Sequence, residues 1–282
     1  MTGISQKRVL AILLLALLLI SCASAPITGR SQFLLISEEE SIKASEPAYF
    51  EMLKEPAQQG KIDNDPSLKA RVETITGRII AQAIALRPET TDWKWSIHII
   101  DDPETVNAWA MAGGRMALYT GLVEKIEPSD DELAQVMGHE IAHALAKHTA
   151  EKMSVALASD LAVTAVAASQ DNSDLALVGA TLAAALAIKL PNSRTAESEA
   201  DRIGIELAAR AGYDPRAAVT LWQKMKKASG GKAPLELLST HPAPQTRIKD
   251  LQALVPKMMP YYQKQGSRPV YHFKPEAERL GG

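Results

Sequence analysis

The sequence predicts an α+β fold, mostly helical, with a small β-sheet beside one central helix. Three stretches carry that expectation. Leu68, Val72, Ile75, Ile79 and Ile80 recur at helical spacing within residues 67–86, "WKWSIHII" alternates like a half-buried strand, and two apolar runs flank Gly113 and Gly114 as in a hairpin. With 282 residues, 46% of them hydrophobic, the chain can bury the core of one large domain or two small ones. A formal charge of −2 and no nucleic-acid motif argue against a nucleic-acid partner.

From the N-terminus, Lys7 and Arg8 precede an unbroken apolar run of 12 residues, Val9 to Ile20. About 20 residues are needed to span a bilayer, so residues 1–21 read as an export signal. The run ends in "LISCAS", where Cys22 is the only cysteine, so no intramolecular disulfide can form. This ending resembles a bacterial lipobox, which implies cleavage before Cys22 and lipid attachment to it. In lipoproteins of this kind, Ala23 after the cysteine implies the periplasmic face of the outer membrane. Residues 22–66 then form an anchor and helical segment: "ISEEESIKASEPAYFEMLKE" reads as a polar helix and "PAQQGKIDNDPS" as a loop.

Residues 67–255 hold the chemistry. His98 on the first strand has no partner by spacing and reads as structural. The hairpin of "VNAWAMAGGRMALYTGLV" offers an edge strand, with Asn107, Ala108, Gly113 and Gly114 as candidates to hold an extended peptide. Next comes "SDDELAQVMGHEIAHALAKH". Ser129 and Glu132 form a possible capping box, and Asp130 and Asp131 sit where the helix dipole favours negative charge. In the helix so started, His139 and His143 lie one turn apart and can grip one metal ion, while Glu140 projects beside them as a general base. Two histidines and a glutamate can also form a plain hydrogen-bonded polar patch. A catalytic zinc usually takes three protein ligands, so a third must be found.

Residues 151–190 are two alanine-rich stretches about "SQDNSD", and Leu175 to Ile188 runs 14 residues without a charge. They read as buried or amphipathic helices packed beside the central helix. In "SRTAESEADRIG", Glu197 and Asp201 share a helix face, with Glu199 pointing away from it. By itself this segment reads rather as a solvated acidic helix. "SGGKAP" marks another loop, and residues 256–282 are left as a C-terminal tail.

"HEIAHALAKH", "SRTAESEADRIGIELAARAGYDP" and "STHPAPQTRI" together resemble peptidase family M48, the gluzincins of the HtpX, CAAX-prenyl, Oma and BepA–LoiP types. The lipobox looks most like the bacterial lipoprotein branch, and the similarity runs from about Thr28 to about Leu254. The resemblance implies a zincin-like domain with one zinc ion, ligands His139, His143 and Glu197, catalytic base Glu140 and supporting carboxylate Asp201. It matches His241 to a position that approaches the metal, either stabilising an oxyanion or closing the open coordination position. It also matches Arg194 to an arginine beside the glutamate ligand, available to pair with Asp201 or another carboxylate, or else to stand as a solvated charge at the helix end. Where relatives often carry proline before the paired glycines, this chain has Ala112.

The expected function is therefore a lipid-anchored zinc endopeptidase of the bacterial envelope that cuts misfolded or unassembled envelope proteins. A chaperone or assembly factor for outer-membrane proteins, using the same groove without cutting, is the alternative, and zinc storage a weaker one. Some relatives carry a tetratricopeptide array after the protease domain. With the chain ending at Gly282, partners are expected to meet the protease domain itself.

Overall fold

A computed structural model describes residues 22–167, 194–229, 235–241 and 246–274. Strands β1 (Cys22–Ser24) and β2 (Ser31–Phe33) form an antiparallel pair. Helices α1 (Glu38–Gln58) and α2 (Pro66–Leu86) follow, then strands β3 (Ser96–Ile100), β4 (Ala108–Ala110) and β5 (Arg115–Tyr119). Helix α3 (Thr120–Ile126) leads into α4 (Asp130–Leu145), the central helix, and α5 (His148–Ala167). Beyond these lie a helix α6 over 194–210, α7 (Ala217–Ser229), α8 (Glu236–Thr240) and α9 (Arg247–Tyr262). The mostly helical α+β reading holds, with a zincin-like helical body and small sheets.

Helices α1 and α2 start where the local chemistry says they should. Asp65 caps α2, its Oδ1 accepting from Ser67 N at 2.9 Å and Leu68 N at 3.1 Å, with Pro66 in the first turn. Ser37 and Glu40 form a capping box on α1. That helix runs three residues further than its proline-rich end suggests, carrying Pro47 and Pro56 within it. Each proline costs a backbone hydrogen bond. Tyr49 and Leu53, both fully buried against the sheet, offset that loss.

The order of the main sheet is β3-β5-β4, with β3 parallel to β5 and β4 antiparallel on the outer edge. Side chains alternate across it as strand geometry requires. Ile97, Ile99, Met116 and Leu118 face α2 and α4, while Ile100 and Ala117 face Tyr49 and Leu53 of α1. The tail is tied in as well. Tyr271 donates its N–H to Gly77 O at 2.9 Å, on α2.

The hairpin forms despite Ala112 in place of proline, because Gly113 and Gly114 both take positive φ, 86° and 85°, in the turn. His98 lies on β3 with its Nδ1 2.6 Å from Asp63 Oδ2, a structural contact remote from the central helix. The first alanine-rich stretch forms α5, packed against α4. The second, with Leu175 to Ile188, and the "SGGKAP" glycines lie outside the described residues. Among the described residues no helix is long and apolar enough to cross a membrane.

Candidate metal centre

The expected capping box starts α4: Glu132 N–H donates to Ser129 Oγ at 3.2 Å, and Ser129 N–H to Glu132 Oε2 at 2.9 Å. Every residue from Glu132 to Leu145 is buried. The alanines and Gly138 keep that helix thin, so neighbouring elements can bring their own polar groups up to its histidines. His139 and His143 turn their Nε2 atoms toward each other at 3.0 Å. Glu197, from α6, places Oε2 3.2 Å from His139 Nε2 and Oε1 3.5 Å from His143 Nε2. His241, just after α8, brings Nδ1 to 3.3 Å from His139 Nε2 and to 3.2 Å from Glu197 Oε2. One donor atom from each of these four residues lies within 4.8 Å of all the others.

This donor set fits zinc. Imidazole nitrogens and one carboxylate are its ordinary ligands, and bonds of about 2.0–2.1 Å to a tetrahedral ion put donors roughly 3.3 Å apart. The separations just given cluster there. Glu140 stands beside the group and is not one of its four donors. It is 2% exposed, its Oε1 has no hydrogen-bond partner, and that oxygen lies 3.5 Å from His241 Nε2. An unpaired buried carboxylate oxygen is costly to keep unless a reacting molecule meets it.

Burial opposes charge on both histidines of α4, and the outcome differs between them. His139 sits against the carboxylates of Asp201 and Glu197, which outweigh burial and raise its pKa to about 9. For His143, burial and repulsion from His139, His148 and His241 together hold the pKa well below the usual value. Glu197 is pushed up by burial, but hydrogen bonds from His139 and His241 win and hold it well below the carboxylate range.

Around the donors lies a second layer that sequence reasoning saw in part. Asp201 Oδ1 accepts from His139 Nδ1 at 3.0 Å, leaving Nε2 free to bind a metal. Arg194, expected near Asp201, is exposed. The guanidinium on Asp201 is instead that of Arg247, from α9, stacked 3.6 Å from the centre of the Trp222 ring. Arg247 is 46 residues from Asp201, a separation that offers no local spacing signal. Glu199 indeed stays out of the ligand group, yet it is no solvated charge. Its Oε2 lies 3.0 Å from His148 Nε2 and 2.7 Å from Arg30 Nε, and its carboxyl is held down to about 2, burial being outweighed by His148, Thr28 and Arg30.

A cleft of about 340 Å³ opens between β4 and the donor group, lined by Ala108, Trp109, Met52, Glu140 and His241 among others. Tyr119 donates its N–H to Asn107 O and Met111 donates its N–H to Arg115 O, so odd-numbered positions of β4 bond to β5. Ala108 and Ala110 therefore turn their backbone groups to the free edge. Asn107 Oδ1 accepts from Ala108 N–H at 2.9 Å, and its Nδ2 donates to Glu236 at 3.1 Å, which ties the strand to α8 and thus to His241. Gly113 and Gly114 belong to the turn, packed on Ile42 and Trp95, rather than to the cleft.

Comparison with known proteins agrees with this geometry. The model for "Peptidase family M48" matches residues 66–255. "Metalloendopeptidase OMA1, mitochondrial" of Bos taurus is 34% identical over 246 residues, covering 83% of this chain and 46% of that protein. "Mitochondrial metalloendopeptidase OMA1" of Schizosaccharomyces pombe is 35% identical over 234 residues, covering 82% and 66%. "Beta-barrel assembly-enhancing protease" of Escherichia coli is 29% identical over 205 residues, covering 70% and 41%. The chain thus spans from under half to about two thirds of these relatives' own lengths. With its matched region enclosing the whole donor group and Glu140, the chain belongs to peptidase family M48.

Proposed function

We propose that this chain is a zinc-dependent endopeptidase, one zinc ion per chain, held by lipid at Cys22 on the periplasmic face of a bacterial outer membrane. The observation that carries the catalytic part is the unpaired, buried Glu140 oxygen beside the His139, His143 and Glu197 donors, at the foot of an open sheet edge. Zinc, when bound, supplies a Lewis acid for the scissile carbonyl and lowers the pKa of the attacking water.

The chain's own residues do the rest. Ala110 offers its N–H and C=O, and Ala108 its C=O, to an extended peptide laid along β4. Glu140 takes the proton of the attacking water and returns it to the leaving amine. His241, with Nε2 turned toward Glu140, can donate to the oxyanion. A folded protein cannot supply such an extended segment, so misfolded or unassembled envelope proteins are the natural substrates. The names of the bacterial relatives, which speak of β-barrel assembly, favour the same setting.

A second reading has its own observation. His241 Nδ1 already stands inside the donor group, 3.2 Å from Glu197, which supports a latent form in which it closes the fourth position. Zinc content and cleavage of an unfolded protein by wild type, Glu140→Gln and His241→Ala test both. The expected result is about one zinc per chain in wild type and Glu140→Gln, with cleavage lost only in the latter. Higher activity in His241→Ala than in wild type marks latency, and lower activity marks an oxyanion role. Unfolded chains bound but never cut by any of the three would point to the chaperone alternative.

A further inference from the structure

A file of hydrogen bonds, buried at His148 and part-buried at Arg30, runs from His143 away from the donor group to the N-terminal hairpin. His143 Nδ1 lies 2.8 Å from His148 Nδ1, and His148 Nε2 lies 3.0 Å from Glu199 Oε2. Glu199 accepts from Arg30 Nε at 2.7 Å and from the Thr28 hydroxyl. Arg30 spreads its other nitrogens over Glu151, at 3.0 and 2.7 Å. His148 and Glu199 are 1% and 7% exposed.

Hydrogen-bond roles along this file follow from its far end. A carboxylate paired with a guanidinium only accepts, so His148 Nε2 carries the hydrogen. Paired in this way, His148 Nδ1 can accept from His143 Nδ1–H. That leaves the lone pair of His143 on Nε2, the atom 3.0 Å from His139 Nε2 within the donor group. Neither His148 nor Glu199 is one of the four donor residues.

We propose that Arg30 and Glu199, acting through His148, are positioning residues for His143, so that the segment following Cys22 is part of the metal centre. The proposal rests on the reading of His139, His143 and Glu197 as ligands. It means that Cys22, the residue proposed above to carry lipid, is joined to a ligand by side chains only six to eight residues away, Thr28 and Arg30. Partners of ligand histidines commonly matter for affinity because they set both tautomer and ring orientation.

The test measures zinc affinity of the full chain by chelator competition, the visible spectrum of the cobalt-substituted protein, and the thermal midpoint of the metal-free protein. The variants are Arg30→Ala, Glu199→Gln, His148→Ala, His148→Asn and, as a control, Glu151→Gln. Affinity is expected to fall about 10–100-fold in the first three, with an altered cobalt spectrum. His148→Asn, which keeps an acceptor near the Nδ1 position, is expected to recover part of the loss. Glu151→Gln, one step off the file, should lower the thermal midpoint while leaving the cobalt spectrum unchanged. Glu199→Gln and His148→Ala with wild-type affinity and spectrum, whatever their thermal midpoints, would overturn the proposal while leaving the ligand assignment standing. If Arg30→Ala and Glu199→Gln fail to fold, the comparison of His148→Ala with His148→Asn decides. Wild type that binds no zinc would sink both this proposal and the ligand assignment.

Discussion

Gly138 and Gly204 meet backbone to backbone where α4 crosses α6. A Cβ on Gly138 would stand 2.7 Å from Gly204 O, and a Cβ on Gly204 would stand 2.7 Å from His139 N. This contact is what lets Glu197 and Asp201 reach across to His139, since the two helices carry the donors on either side of it.

Gly204→Ala is therefore expected to push the helices apart, because the atoms it meets are backbone and cannot rotate away. The cost should be about 1–3 kcal/mol, as for other overpacked cores. Zinc affinity should fall with it. Urea unfolding and chelator competition read the two effects, and an alanine variant with unchanged zinc affinity would show that the spacing of α4 and α6 does not govern the site.

Arg247 gives a second prediction. It is 3% exposed, bonded to Asp201 and stacked on Trp222. Arg247→Ala leaves the Asp201 charge without its partner, a change that typically costs about 3–5 kcal/mol at buried pairs. Zinc affinity should drop about 10-fold or more because Asp201 orients His139. Arg247→Lys keeps the charge but not the flat stack, so it should restore only part of either quantity. Full restoration by lysine would reduce the role of Arg247 to charge alone.

Asp63 governs an acid-sensitive joint away from the metal. Burial would raise its pKa, but His98, the Ile99 N–H and Lys69 hold it below the ordinary value. A carboxyl depressed in the folded state stabilises above its unfolded pKa of about 3.9 and loses that contribution as pH falls through the folded value. Asp63→Asn tolerates the φ of 54° at this position, so backbone strain should not confuse the comparison. Wild type is expected to be the more stable near pH 5, with the gap closing as pH falls below about 4. A gap that stays constant from pH 5 to pH 2 would refute this account.

The sequence alone was enough to locate α2, α4, β3 and the β4–β5 hairpin, because helical and strand periodicities, caps and turn glycines act over a few residues. It also placed His139, Glu140 and His143 on one helix. Glu197 needed the family resemblance as well, since an acidic stretch on a helix looks the same in solvent as at a metal. Tertiary structure decided everything that joins distant segments. It chose Arg247 over Arg194 as the partner of Asp201, carried Glu199 and Arg30 to His148, moved Gly113 and Gly114 out of the cleft, and set the free edge at Ala108 and Ala110. The physical reason is common to these cases: a buried charge or a free strand edge is defined by what packs against it, and chain spacing does not encode contacts made across 46 residues, as between Arg247 and Asp201, or 169, as between Arg30 and Glu199.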